Sequence, residues 1–439
     1  MRRDERRTTQ RERLLDGMLA AVAREGYAGA TVSRAIANAG VSRPTFYEYF
    51  PDRDACFLAT HERAARGLLE YVREGVREEE PRQAFRGAAC ALLRHAEEQR
   101  DATRLLGDQA LAAGSRALDA RDAALAQLAR VVEEALARAA PDASAPDLPA
   151  RALLGGLQRS LAAWLRNSAL HAASPAQELT ALLASFERPL GEHRWRALRP
   201  GPPLRPSPHV ATLALQAPRP LPPGRSRASH AEIERNQRER ILFATAGVAS
   251  ERGYGATTVS DILAAARVDR RVFYAHFRDR QDAFLAAHEL AFPHAIGVAA
   301  SAYFSAESWP ERVWEGIRAT TQFYDTYVLF GRLGFVEAHA VGPAAIRSVD
   351  DHRMAFTVFL QEGNQHARRL LSSAAMEAVA SAIFEIGYIH ARARRGRAWQ
   401  LSRYTPLAAH IALTPFIGVA AAGAAIDSLQ ARADPAQPA

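Results

Sequence analysis

Residues 31–50 read TVSRAIANAGVSRPTFYEYF, and residues 258–277 read TVSDILAAARVDRRVFYAHF. In the first stretch Thr31 is a good helix N-cap, and Val32, Ala35, Ile36 and Ala39 then fall on one helical face. Gly40 stands where a helix ends in the left-handed conformation that glycine adopts cheaply. Val41 is the apolar turn residue that plugs between two helices. Ser42 caps the next helix, whose first turn accepts Pro44. Phe46 and Phe50, four apart, point inward, so Arg43, Thr45, Tyr47 and Tyr49 are expected to point outward. The result is a helix, a tight turn and a second helix whose exposed face carries a guanidinium, hydroxyls and phenols. Such groups suit phosphate oxygens and base edges in a DNA major groove.

Working outward, the whole chain repeats itself at one offset. Gln10-Arg-Glu-Arg-Leu-Leu15 matches Gln237-Arg-Glu-Arg-Ile-Leu242, Gly26-Tyr27 matches Gly253-Tyr254, and Asp52-Arg53 matches Asp279-Arg280, each pair 227 residues apart. His61-Glu62 matches His288-Glu289 in the same register, and the offset survives more weakly to Gly155-Gly-Leu-Gln158 opposite Ala382-Ile-Phe-Glu385. The duplicated unit is therefore a full domain pair rather than a motif. Between the copies, residues 196–229 hold nine prolines from Pro200 to Pro223. That density favours an extended linker, able to reach roughly 90 Å at ~3 Å per residue.

A chain of 439 residues, 48% hydrophobic and 24% charged, has the balance of a soluble protein with more than one core. The net charge of +8 favours an acidic polymer as partner, and every basic side chain other than histidine is Arg. Two cysteines, Cys56 and Cys90, exclude a disulfide framework or a structural zinc site and fit a cytoplasmic location. The uncharged run 411–426 is short for a membrane span and carries Pro415, Gly418 and Gly423, so it reads as a buried helix and no membrane partner is expected. Apolar residues at three- and four-residue steps, as in Leu125-Leu128-Val131-Val132-Leu136 and Leu153-Leu154-Leu157-Leu161-Leu165, predict an all-α chain. No P-loop, GxGxxG, HExxH or GxSxG motif is present, so the chain reads as no enzyme and needs no cofactor.

With Gly26-Tyr27, Thr31-Val32, Ala39-Gly40-Val41-Ser42, Phe46-Tyr47-Glu48-Tyr49-Phe50 and Asp52-Arg53 in that order, residues 10–62 resemble the TetR family of one-component regulators. The resemblance implies a helix-turn-helix head joined to a helical body that binds a ligand and dimerises. It implies a repressor of double-stranded DNA released by a small-molecule effector. It places Tyr47 on backbone phosphate, Arg43 and Thr45 near bases or phosphates, and Arg53 on a further phosphate, with Thr31, Ser42 and Tyr49 on the same surface. The expected organisation is a first head at 1–62 and a body at 63–195, then the linker. A second head at 230–289, a second body at 290–429 and a disordered tail at 430–439 follow.

The second head keeps the framework but replaces the turn glycine with Arg267, at a cost on the order of 1 kcal/mol if the left-handed turn persists. Its outward set becomes Arg270, Arg271, Tyr274 and His276, with Arg280 in the place of Arg53. That face fits DNA with a different or looser preference; a degenerate head kept for packing is the alternative. The second body is the aromatic one, and Phe323, Tyr327, Phe330, Phe356, Phe359, Phe384 and Tyr388 are the candidate lining for an apolar or aromatic effector, set against the plainer reading of core aromatics. Its histidines show no HxxxH spacing, so no metal is expected. The copies can pair within one chain as a pseudo-dimer, or like copies can pair between chains as a homodimer. A helical interaction module with non-DNA-binding heads is the competing functional class.

Overall fold

In the computed structural model, residues 2–139, 149–166, 217–221, 228–367, 370–393 and 399–433 are described, together with residues 179 and 182. Most of the proline-rich linker, the close of the first copy and the tail beyond residue 433 lie outside the described residues. Among the described residues every regular element is helical. The chain divides into two compact units. The first comprises Met1–Arg194 with Ala367–Glu385 and Thr414–Val419; the second comprises Trp195–His366 with Ile386–Leu413 and Ala420–Ala439. The first unit thus recruits helical segments from the second sequence copy.

The first unit opens with α1 (Arg2–Gly29), which is interrupted at Gly26, where φ is +71°. Leu14, Leu15, Met18 and Val22 form its buried stripe. Then come α2 (Val32–Ala39) and α3 (Arg43–Tyr49). The long connecting helix α4 (Arg53–Arg77) is capped by the Asp52 side chain on Ala55 N. Helix α5 (Ala84–Glu98) and a bent segment containing a π-helical turn, Leu105–Gln109, lead to α6 (Ser115–Ala139) and α7 (Pro149–Arg166). Phe46, Phe57 and Phe85 are almost wholly buried, each worth about 1.5–3 kcal/mol by area.

The second unit repeats this order. Helix α8 (His230–Arg252) starts at a capping box between Ser229 and Glu232 and ends at Gly253. Helices α9 (Val259–Ala266), α10 (Arg270–His276) and α11 (Arg280–Phe304) complete the head and its connecting helix. Helix α11 is long and apolar enough to cross a membrane by length and composition. It carries Pro293 and buries Phe284, Ala287, Ala291, Ala295, Ala299 and Tyr303 inside the protein. The body continues through α12 (Trp309–Thr326), α13 (Val328–Phe335) and α14 (Pro343–Ala355). The last helices are α15 (Ser373–Ala393), α16 (Thr405–Ile417) and α17 (Val419–Ala433). The apolar run 411–426 is broken at Gly418, with φ of +84°, and so becomes two helices.

Within the first unit, α7 and the start of α15 approach closely because Gly155 and Gly156 leave no side chain between them. A Cβ on Gly156 would collide with the Ala382 backbone, and one on Gly155 would fall 2.9 Å from Glu385 Cγ. Ser160 Oγ and Ser381 Oγ lie 2.8 Å apart, and Trp164 Nε1 donates to Glu377 Oε2 at 2.8 Å. Across this seam the Glu385 carboxylate accepts from Arg121 Nη1 and Nη2 at 2.9 and 3.2 Å and from Arg159 Nη2 at 2.8 Å. Arg121, Arg159 and Glu385 are only 1%, 3% and 0% exposed, so a full Arg–Glu–Arg triad is buried there. Burial alone would raise the Glu385 carboxyl, but the two guanidinium charges and their hydrogen bonds outweigh it and hold it at about 2.

Candidate nucleic-acid interface

Each head is built by its caps. Thr31 Oγ1 accepts from Arg34 N at 3.3 Å, starting α2, and Ser42 Oγ accepts from Thr45 N at 3.2 Å, starting α3. Between them Gly40 adopts φ +62°, ψ +43°, and Arg13 Nη2 donates to its carbonyl at 2.8 Å. In the second head Arg267 keeps the same left-handed turn at φ +52°, ψ +49°, the one non-glycine positive φ among the described residues. Arg240, which stands where Arg13 does, donates to the Ala266 and Arg267 carbonyls. One hydrogen-bonding device therefore secures both turns, and the arginine substitution leaves the geometry intact.

The exposed face of α3 carries Arg43 and Tyr47, the latter half exposed at 50%. Arg43 Nη2 donates to Ser33 Oγ at 2.8 Å, which ties it to α2 and aims it across the turn. Thr45 is half-buried with its Oγ1 2.8 Å from Ser42 Oγ. Tyr49 departs from the outward expectation: it is half-buried, and its hydroxyl donates to Gln10 Oε1 on α1 at 3.2 Å. On α10, Arg270 and Arg271 are exposed and Tyr274 is 49% exposed, matching Tyr47. His276 is half-buried, and burial lowers its pKa, opposed by Glu234 and reinforced by Arg238. It takes the inward-leaning place of Tyr49.

Arg53 and Arg280 are likewise committed inside their heads. Arg53 lies 4.3 Å over the Tyr27 ring, with Nη2 donating to the Tyr27 hydroxyl at 2.8 Å and Nε to Asp54 Oδ1 at 3.0 Å. Arg280 lies 4.3 Å over the Tyr254 ring and donates to the Tyr254 and Thr257 carbonyls. A cation–π contact of this kind is worth about 0.5–2 kcal/mol. Arg53 thus latches the connecting helix to the Gly-Tyr corner while its side chain stays 32% exposed. Burial, with the hydrogen bond to Asp54, pushes the Tyr27 phenol up to about 12, so it stays a neutral donor.

Two further contacts escape the sequence patterns. The Tyr27 amide donates to Gln109 Oε1 at 2.8 Å, and the Tyr254 amide donates to Glu337 Oε2 at 2.9 Å. Both join the end of the head's first helix to an irregular turn of its own body, Leu105–Gln109 in one unit and Glu337–Ala340 in the other. Only the side chain placed under a backbone amide makes such a joint, and no motif announces it.

The family description "Bacterial regulatory proteins, tetR family" matches residues 14–60 and 241–287. The chain carries the TetR-family DNA-binding head twice. It is thereby a transcriptional regulator of the helix-turn-helix type. No curated protein matches it as a sequence relative. Solved TetR-family structures are similar to it in part. The fatty acid degradation regulator FadR from Bacillus halodurans is 16% identical, covering 40% of this chain and 97% of its own, with a TM-score of 0.36. A tetR-family regulatory protein from Rhodococcus RHA1 is 21% identical, covering 40% and 96%, with a TM-score of 0.34. The regulator PfmR from Thermus thermophilus is 21% identical, covering 39% and 94%, with a TM-score of 0.33.

Behind the TetR-family heads, the aromatic residues picked out for an effector do not converge on one space. Phe323 packs on Tyr327 with centroids 4.6 Å apart, Phe330 on Phe243 at 5.4 Å, and Phe359 on Tyr303 at 5.1 Å. Phe356 meets Phe292 at 6.1 Å, Phe384 lies under the Arg159 guanidinium at 5.2 Å, and Tyr388 is fully buried. Phe323, Phe330 and Tyr388 belong to the core, whereas Tyr327, Phe356, Phe359 and Phe384 are half-buried, with Phe356 and Phe359 6.2 Å apart. The first body holds a small cavity of about 10 Å³, the space of a single water molecule. His61, Leu68, Leu106, Arg121, Leu125 and Gln158 are among its walls. His61 Nε2 and Gln158 Oε1 are buried there without a hydrogen-bond partner, and burial, with Arg121 nearby, lowers the His61 pKa to about 4. A neutral imidazole, an amide and a guanidinium therefore face a space walled otherwise by aliphatic carbon.

In the second unit the equivalent region is different. His288, Glu289 and His352 cluster beside Ser348, and the Glu289 carboxyl is held at about 2. Its hydrogen bond with His288 lowers it most, and Ser348 and His352 add to this against the opposing effect of burial.

Proposed function

We propose that the chain is a cytoplasmic repressor whose two copies pair within one polypeptide and read two unlike half-sites of one operator. The observation that carries this reading is the buried triad, in which Glu385 of the second copy sits between Arg121 and Arg159 of the first. The copies differ at the very positions involved. At the 227-residue offset Glu385 corresponds to Gln158, Arg159 to Ile386 and Arg121 to Ser348. Two first copies meeting through this seam would bury arginines with no carboxylate, and two second copies would bury a carboxylate with no arginine. Either mismatch leaves an uncompensated charge, which costs several kcal/mol.

Exposed Arg43 and Tyr47 on one head, and Arg270, Arg271 and Tyr274 on the other, support DNA contact by both heads with different base preferences. The effector is proposed to enter the first body, where His61 Nε2 and Gln158 Oε1 want partners, rather than the aromatic second body. The cavity of about 10 Å³ must widen for this, and the ligand suited to its lining is a small, largely apolar molecule bearing one hydrogen-bonding group. It would touch the Arg121 that holds Glu385, so its binding and the seam draw on the same guanidinium.

A footprint on the chain's own promoter region, with light scattering of the complex, tests this. One chain of 47.9 kDa should protect an asymmetric site. Arg43→Ala with Tyr47→Ala should weaken one half of the footprint, and Arg270→Ala with Tyr274→Ala the other. A strict palindrome occupied by two chains would refute the pseudo-dimer. Loss of neither half in either double variant would favour an interaction module with inert heads.

A further inference from the structure

We infer that the second body contains a binding site for a divalent transition ion of the zinc class, formed by His288 and Glu289 on α11 and His352 on α14. Their ligand atoms all lie within 4.8 Å of one another. His352 Nε2 stands 3.2 Å from Glu289 Oε2, and His288 Nδ1 stands 3.9 Å from Glu289 Oε1. Ligands bound at about 2.0–2.1 Å around a tetrahedral zinc sit roughly 3.3 Å from each other, so the two carboxylate–imidazole distances are near that value, while the wider limit of 4.8 Å must close as the ion enters. Two imidazoles and one carboxylate form a donor set suited to such an ion, with the remaining position open to water or to a further ligand.

The surroundings are those of a built site. His352 is fixed by stacking: its ring lies parallel to Phe292 at 3.6 Å and to His288 at 4.8 Å. The two rings are stacked face to face with Glu289 beside both, and one imidazole turns out of the stack to share an ion with the other. Ser348 Oγ lies 3.1 Å from His288 Nδ1 and bonds to Glu289 Oε1, orienting both before an ion arrives. His288 is buried and His352 nearly so, whereas Glu289 is half exposed and opens the cluster to solvent. The ligands come from two helices well separated in the chain, so no short histidine spacing reveals them.

The site belongs to the second copy alone. His61 and Glu62 repeat His288 and Glu289, but Leu125 stands for His352 and Arg121 for Ser348. An arginine and a leucine exclude a cation, and the first copy uses that space for its cavity. Position gives the site a consequence. Helix α11 begins at Arg280, which is bonded to the Tyr254 corner of the head, and reaches His288 two turns later. An ion joining His288 to His352 would fix the head-bearing helix to α14 and reduce the freedom of the second head.

The test uses the full-length chain, stripped with a chelator and titrated with Co²⁺ and then Zn²⁺ in the absence of DNA. One equivalent of Co²⁺ should give the visible absorption of a tetrahedral N/O site, and one equivalent of Zn²⁺ should abolish it. His352→Ala and Glu289→Gln should each weaken binding by at least about tenfold. His230→Ala, which alters an exposed histidine paired with Glu234, should leave it unchanged. Far-UV circular dichroism confirms that each variant is folded; Glu289→Gln, at an exposed position, remains informative should His352→Ala unfold. Absence of the band, or a band of equal strength in both ligand variants, overturns the site.

Discussion

Replacing Glu385 by Gln should be one of the most damaging single substitutions available in this chain. The change keeps the size and shape of the side chain, so no cavity opens and the close approach of Gly155 is undisturbed. It removes the negative charge between Arg121 and Arg159, which are 1% and 3% exposed. Three charge-assisted hydrogen bonds at 2.8–3.2 Å become at best neutral ones. Breaking a buried pair by removing one partner costs about 3–5 kcal/mol, mostly because the surviving charge stays buried. With an m-value near ~3 kcal/mol/M, the urea midpoint should fall by about 1–2 M, measured by circular dichroism. The companion variant Arg121→Met, Arg159→Leu, Glu385→Met replaces the whole triad with apolar side chains and should regain most of that loss. It should also lose pairing selectivity, so light scattering should detect chains associating through like copies. The reasoning fails if Glu385→Gln shifts the midpoint by less than the equivalent of about 1 kcal/mol. It fails equally if the apolar triple variant remains strictly monomeric on an asymmetric site.

Other outcomes follow from single contacts. Arg267→Gly should stabilise the second head by about 1 kcal/mol, because φ is +52° there; an equal gain from Arg267→Ala, seen in thermal melts, would assign the effect to charge beside Arg240 instead. His61 and His95, both lowered to about 4 by burial, stay neutral in the fold while the unfolded chain takes up protons below about 6.5. Stability should therefore be flat above pH 6.5 and fall towards pH 4 by up to about 1.4 kcal/mol per unit for each histidine. His61→Gln should halve that slope in urea titrations across this range. Glu385, held at about 2, adds a second window in which stability present above about pH 4.5 is lost on further acidification. Arg53→Ala should cost about 1–2 kcal/mol through loss of the Tyr27 latch, and if it instead left the melting temperature intact while weakening DNA binding, the phosphate role would be restored.

The head is legible in the sequence because its decisive features are local. Thr31, Gly40 and Ser42 act on backbone groups within three or four residues of themselves, so their order fixes the two helices and the turn. Residues whose partners are distant are harder to read. Tyr49 and Arg53 look like surface groups in a helical projection, yet Gln10 and Tyr27 claim them from another helix. The aromatic body illustrates the same limit on a larger scale. Aromatics spaced for one face of a helix line a pocket only if the facing helices leave room, and Phe243, Phe292 and Tyr303 stand against Phe330, Phe356 and Phe359. The duplication itself carries information that neither copy holds alone. Arg13 recurs as Arg240 and Arg53 as Arg280, and each pair makes the same contact in its own head.

At the seam the two copies differ in charge. At aligned positions the first copy has Arg121, Leu125, Gln158 and Arg159, and the second has Ser348, His352, Glu385 and Ile386. The changes are mutually dependent. Arg121 is tolerable in the interior because Glu385 exists, and Glu385 is tolerable because Arg121 and Arg159 exist. Ser348 in place of arginine is in turn what allows His288, Glu289 and His352 to lie together without a competing cation. A duplicated regulator that kept identical copies would pair indiscriminately within and between chains, since every interface would be self-complementary. Charge placed on one side and removed from the other makes only the mixed pairing compensated. On the proposed pairing within one chain, the two bodies are released from symmetry and free to carry different chemistry. An aliphatic cavity with three polar groups on one side and a histidine–carboxylate cluster on the other are the two forms that freedom has taken.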